Sequence, residues 1–139
     1  MVTRVLFALV LIVAVAAGAS AQEPKIVALG ITDHAVTEDE LKTGDQLPAP
    51  RFNSPAVAYG LAANLKEGDA VEITLNNGNK PLMRNTETLS ADKASHLLLV
   101  GKQGVPAGGW PEGTYTATLK ITRDGKELIS ETTKPIAFE

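Results

Sequence analysis

The chain has no cysteine, two histidines and one tryptophan among its 139 residues. Without cysteine there is no disulfide scaffold, no thiol nucleophile, no thiolate metal centre and no cysteine-linked lipid anchor. Two histidines cannot build a three-histidine zinc site. The formal net charge of −3 disfavours nucleic acid and anionic membrane surfaces as partners. No His-Glu-x-x-His, Gly-x-Ser-x-Gly or phosphate-cradling glycine loop occurs. The carboxylates Glu38, Asp39 and Glu40 are adjacent and read as a solvated run, whereas glycoside hydrolysis needs two that face each other across a cleft. An enzyme is therefore disfavoured, and no cofactor is implied.

What is present begins with a leader. Arg4 supplies a basic start, Val5–Ala17 is unbroken apolar sequence, and Ala19-Ser20-Ala21 offers the small residues of a signal-peptidase site. Residues 1–21 thus read as a signal peptide, with cleavage expected after Ala21. The apolar run is shorter than the ~20 residues needed to span a bilayer, so no membrane anchor is expected after cleavage. A single arginine favours export of the unfolded chain over twin-arginine export. Residues 22–139 are then expected as one domain, periplasmic or secreted.

In that domain the hydrophobic period is two. Tyr115, Ala117, Leu119 and Ile121 alternate with Thr114, Thr116, Thr118, Lys120 and Thr122, the pattern of a half-buried strand. Asp124-Gly125 then predicts a two-residue hairpin turn into a last strand over Lys126–Phe138, with Pro135 marking a free side or a bulge. Val71, Ile73 and Leu75 alternate ahead of Asn77-Gly78, another hairpin signal, and Leu82–Leu89 follows. Val57, Tyr59, Leu61, Ala63 and Leu65 share one face, and Lys66–Asp69 has turn chemistry. Lys25–Ile31 is a first strand. His96–Val100 reads as a central strand, its three leucines suggesting burial on both faces. Seven or eight short strands with turns between them describe an all-β antiparallel sandwich. Two segments interrupt it. Thr32–Pro55 has a capping-box pattern at Thr37 and Glu40, but its proline density favours a solvated loop across the mouth of the sandwich. Lys102–Pro111 is a Gly- and Pro-rich loop ending near Trp110.

The stretch Gly108-Gly109-Trp110-Pro111-Glu112-Gly113-Thr114-Tyr115, followed by Arg123-Asp124-Gly125-Lys126, resembles the last two strands of small bacterial immunoglobulin-like modules of secreted and periplasmic proteins. Leu65–Asp69 and the Asn-Gly hairpin look like the preceding half, so the resemblance covers about residues 56–138. It implies an immunoglobulin-like Greek-key sandwich without a disulfide, in which Gly113, Asp124 and Gly125 shape turns and Tyr115 forms a tyrosine corner. Ala117 stands where an antibody-type domain carries its second cysteine, and Val71–Asn76 lacks the tryptophan that packs on such a bridge. For function the resemblance implies no more than a binding or structural module, since such sandwiches serve unrelated tasks.

The candidate surface is Trp110 with Arg51, Phe52 and Asn53, if the topology brings those loops to one end. Trp110 is expected to act as a lid on the core rather than as a ligand-stacking ring. With Tyr59 and Tyr115 assigned to the core, few aromatics remain for a sugar, so a protein partner in the cell envelope is favoured over a glycan bound through Trp110. A copper carrier is the remaining alternative, with His34, His96 and Met83 as ligands, none of them closely spaced. The intact last strand argues against donor-strand assembly, and a monomer is expected.

Overall fold

A computed structural model describes residues 23–44, 46–102 and 104–139; the leader and its expected cleavage site lie outside these residues. The described chain forms β1 (Lys25–Thr32), a short helix α1 (Glu38–Lys42), β2 (Ala56–Leu65), β3 (Ala70–Asn77), β4 (Lys80–Thr88), β5 (Lys93–Lys102), β6 (Thr114–Arg123), β7 (Lys126–Thr132) and β8 (Ile136–Ala137). One antiparallel sheet has the order β1-β2-β5 and the other β4-β3-β6-β7, with β8 also paired to β6. The chain passes between sheets from β2 to β3, from β4 to β5 and from β5 to β6. The result is the expected Greek-key sandwich.

The core lies where the sheets face each other, and the alternation of β3 and β6 fills half of it. Val71, Ile73 and Leu75 pair with Ile121, Leu119 and Ala117, and all are buried. Their partners across the core are Ala56, Ala58, Ala62, Leu65 and Leu98. Gly60 belongs to the same face: a Cβ there would lie 2.9 Å from both Leu119 methyl carbons. The hairpins follow turn chemistry. Asp124 and Gly125 have φ of 54° and 78°, the two positive angles of a type I′ turn. Gly78 has φ of 61° and is followed by Asn79, so the β3–β4 turn is Gly78-Asn79, one residue later than Asn77-Gly78 suggested.

Four expectations change. On β2 the inward residues are Ala56, Ala58, Gly60 and Ala62, so Val57, Tyr59, Leu61 and Ala63 do share a face, but it is the outer one. Asn64, at φ 63°, breaks the alternation and returns Leu65 to the core. Tyr59 is accordingly not a core residue; its ring lies over Gly30, its cross-strand partner, where a Cβ would collide with the phenol. Second, β5 is an edge strand rather than a central one. Leu98 points into the core, and Leu97 and Leu99 are half-buried on the outer face. Third, Lys126–Phe138 is not one strand. Thr133 both donates its N–H to Ala117 O (2.9 Å) and accepts from Ala117 N (3.0 Å), after which Pro135 breaks the ladder before β8. Fourth, the solvated loop expected over Thr32–Pro55 carries α1. The Thr37 hydroxyl accepts from Glu40 N (3.2 Å) and the Glu40 carboxylate accepts from Thr37 N (3.3 Å), a complete capping box.

That segment covers the outer face of the three-stranded sheet. Thr32, fully buried, donates to Pro48 O at 2.7 Å, and Ser95 of β5 donates to Glu38 of α1 at 2.7 Å. Val57 and Leu61 of β2 and Val36 of the cover are buried yet lie apart from the main core cluster, a second apolar layer between the sheet and its cover.

The end of the sandwich away from Trp110 is tied by charge. Asp69, fully buried, receives two hydrogen bonds from Arg123 at the end of β6, Nε to Oδ1 at 2.7 Å and Nη2 to Oδ2 at 2.9 Å, and a third from Lys66 N at 2.9 Å. Its backbone carbonyl accepts from Leu89 N, so one residue joins the β2–β3 loop, the β4–β5 loop and β6. The Arg123 guanidinium, helped by Lys66 N–H, holds the Asp69 carboxyl below its usual pKa against the opposing effect of burial. Breaking such a pair leaves an uncompensated charge. Asp69→Ala is expected to lower the unfolding free energy at pH 7 by about 3 kcal/mol in urea titrations. Because the folded-state pKa is depressed, the contribution of Asp69 is complete above an unfolded-state pKa of ~3.9 and disappears as the pH falls through the lower folded value. The gap between the two proteins should therefore narrow in that acid window; a gap independent of pH there contradicts the assignment.

Candidate functional site

The other end is organised by aromatic rings. Thr114 begins β6, so Tyr115 enters the core at the first inward position. Its hydroxyl donates to the carbonyl of Pro111, four residues back, and accepts from Asn77 Nδ2 at 3.3 Å. Burial raises the pKa of this phenol, keeping it a donor. The ring stacks on Phe138 at 3.9 Å and 6° between planes. Trp110 packs edge-on against both, at 6.3 Å from Tyr115 and 5.9 Å from Phe138, and retains 7 % of its surface.

These rings bring together loops remote in sequence. Trp110 N donates to Phe52 O (2.8 Å), the indole Nε1 donates to Ser54 O (2.8 Å), and Phe52 N donates to Glu139 O (3.3 Å). Arg51 to Ser54 is a tight turn, with Arg51 N donating to Ser54 Oγ (2.8 Å) and Ser54 N to Arg51 O (3.1 Å). Gly109 fits beneath Phe52, where a Cβ would lie 2.8 Å from the ring. Asn77 also donates to Glu112 O at 3.2 Å, fixing the start of β6 to the end of β3.

The topology therefore places Trp110, Arg51, Phe52 and Asn53 at one end. Their roles divide: Trp110 is part of the base, whereas Phe52 is 50 % exposed, Val105 is 43 % exposed, and Arg51 and Asn53 face solvent. A groove of about 530 Å³ runs between Phe52, Trp110, Pro111, Glu112 and Phe138. It offers apolar contact from its aromatic rings, with Gly108, Gly113 and the acidic Glu112 also in its lining. Asn77 and Phe138 belong to this end without having been singled out from the sequence. Asn77 reads only as a turn residue, since its partners are 35 and 38 positions away.

The copper candidates are held elsewhere. His34 lies between Asp33 and Glu40. His96 places Nε2 3.1 Å from Glu87. Met83 faces the core from β4, paired with Leu75. Glu87 and Met83 are four residues apart on one strand, roughly 13 Å, so the imidazole of His96 and the thioether do not meet. Among the described residues, no group of three or more His, Asp and Glu is arranged to hold a metal ion, and no helix is long and apolar enough to cross a membrane.

No family model matches the chain, and no curated protein matches it significantly.

Removing the hydroxyl of Tyr115 takes the donor from Pro111 O and one of two acceptors from Asn77 Nδ2, which keeps Glu112 O, so Tyr115→Phe is expected to cost about 1–2 kcal/mol. Trp110→Ala, which opens a cavity against two rings, should cost about 3–5 kcal/mol. Urea denaturation of the two variants measures both, and a Trp110→Ala protein as stable as its parent would mean the indole is not part of the core.

Proposed function

We propose that the protein is an exported, non-catalytic immunoglobulin-like module that binds a protein partner in the cell envelope through its Trp110 end. Export rests on the leader pattern of residues 1–21, and the family reading on the Gly-Gly-Trp-Pro-x-Gly-x-Tyr and Arg-Asp-Gly-Lys stretches. The observation that carries the binding reading is the exposed aromatic side chain of Phe52, whose backbone N–H and carbonyl are tied to Glu139 and to Trp110 of a buried aromatic base, with the exposed Val105 on the loop that leads to Trp110. An exposed aromatic anchor on a tied backbone, beside the exposed Arg51, has the composition of a protein-binding hot spot, and the bonded backbone of Phe52 limits the entropy lost on association.

The glycan reading is weaker because the Trp110 ring packs on Tyr115 and Phe138 and has little free face, leaving Phe52 as the exposed ring. The copper reading is weaker because both imidazoles already contact carboxylates.

The test is site-specific photo-crosslinking in cells from position 52, with Leu128, exposed on β7, as the control position. A defined adduct from position 52 that is absent from position 128 is expected. Phe52→Ala in the purified chain should then weaken binding to the captured protein at least tenfold, about 1.4 kcal/mol. Equal labelling from both positions, or unchanged affinity, argues against this surface.

A further inference from the structure

The cover over the three-stranded sheet is fastened at His34. Its Nδ1 lies 2.8 Å from Asp33 Oδ1 and its Nε2 lies 2.6 Å from Glu40 Oε2. Ionised carboxylates only accept hydrogen bonds, and a neutral imidazole has a single N–H. Both contacts can therefore be hydrogen bonds at once only when the ring carries two protons. We propose that Asp33, His34 and Glu40 form a proton-controlled clasp that holds α1 of the covering segment against the outer face of the three-stranded sheet.

The clasp bears on the cover because Glu40 has two duties. One oxygen meets His34, and the other closes the capping box on Thr37 N. Asp33 immediately follows β1, so the imidazolium bridges the end of a strand and the first turn of the helix. Among the described residues, the charged groups acting on the ring are Asp33 and Glu40. Of the others on this helix, Glu38 receives Ser95 of β5 and lies 3.8 Å from Lys42, and Asp39 lies in the same first turn. Beneath the cover, β2 presents the apolar Val57 and Leu61.

The sign follows from the geometry. Hydrogen bonds to Asp33 and then Glu40 raise the His34 pKa above its usual value, with burial opposing them. A raised folded-state pKa gives a contribution that is complete below the unfolded value of ~6.5 and is lost as the pH rises through the folded one. When the second proton leaves, a nitrogen lone pair faces a carboxylate at hydrogen-bond distance, and that contact opens. The helix α1 is thus held in mildly acidic conditions and loosened in alkaline ones, while the Thr32–Pro48 bond and the buried Val36 keep the rest of the cover in place. This device is independent of what binds at the Trp110 end.

Hydrogen exchange on the domain expected after cleavage, residues 22–139, tests it, read alongside an NMR titration of the His34 ring. The reporters are the amides of Leu41 and Thr43, bonded to Thr37 O and Asp39 O at 3.2 Å each. After correction for intrinsic exchange rates, their protection should fall at least about fivefold between pH 6 and pH 9, following the imidazole titration, while the β3 and β6 amides keep theirs. His34→Gln should show the low protection at pH 6 and no further loss. Glu40→Gln, which can still close a capping box, should lower the titration midpoint of His34. Protection of Leu41 and Thr43 that ignores the His34 titration overturns the proposal. So does a His34→Gln protein that matches its parent at pH 6.

Discussion

Strand β2 faces no solvent over most of its length, and the rest of the molecule answers that condition. Its inner face of small residues lets β6 approach closely enough for Leu119 to sit where a side chain at Gly60 would be. Its outer face presents Val57 and Leu61, each of which would cost about 1.5–3 kcal/mol if left in water. The five-stranded sheet covers the first face. The segment from Asp33 to Pro50 covers the second, pinned by Thr32 to Pro48 O and by Ser95 to Glu38. To reach β2 after crossing that face, the chain must return to the end it left, and this delivers Arg51–Ser54 to Trp110. The candidate surface is a by-product of how the cover closes.

Without a disulfide, the ends and edges of the sandwich are secured by other means. One end uses a buried, bidentate Asp69–Arg123 pair, the other a three-ring cluster. Three of the edge strands, β1, β4 and β7, have an irregularity in register near Val27, Leu82 and Leu128, the kind of break that discourages pairing with another sheet. The fourth edge, β5, keeps an even register with β2 and is closed by side chains instead. Asn85 of β4 donates to Leu99 O at 2.9 Å, and Glu87 reaches His96. Such edges suit a protein that presents its end loops rather than its strands.

How much of this could be read from the residues depended on the range of the interaction. Tyr115, Ala117, Leu119 and Ile121 alternate cleanly because β6 has one polar face, and Asp124-Gly125 dictates its turn locally. β2 misled because both its faces are covered: period two showed which residues share a face but not which face is inside. The leucines of β5 suggested a central strand for the same reason, since the cover half-buries Leu97 and Leu99 although the strand is at an edge. The capping box at Thr37 and Glu40 was visible, and the prolines around it were a poor guide, because they shape the path of the cover without interrupting the single helical turn. The meeting of Trp110 with Phe52 and Ser54, the Asn77–Tyr115 bond and the Asp69–Arg123 pair had no local signature, each joining residues dozens of positions apart.

The central claim is that cover, aromatic end and sandwich form one cooperative unit, so that the candidate surface is as rigid as the core. Trp110, the single tryptophan, packs on Tyr115 and Phe138 and is bonded to Phe52 and Ser54, where the chain leaves the cover, so it reports on the aromatic end directly. Urea unfolding at pH 6, followed in parallel by Trp110 fluorescence and by far-ultraviolet circular dichroism of the strands, should give transitions with the same midpoint and slope. A fluorescence transition complete at lower urea than the loss of β structure would show that the Trp110 end opens on its own, and would contradict the account.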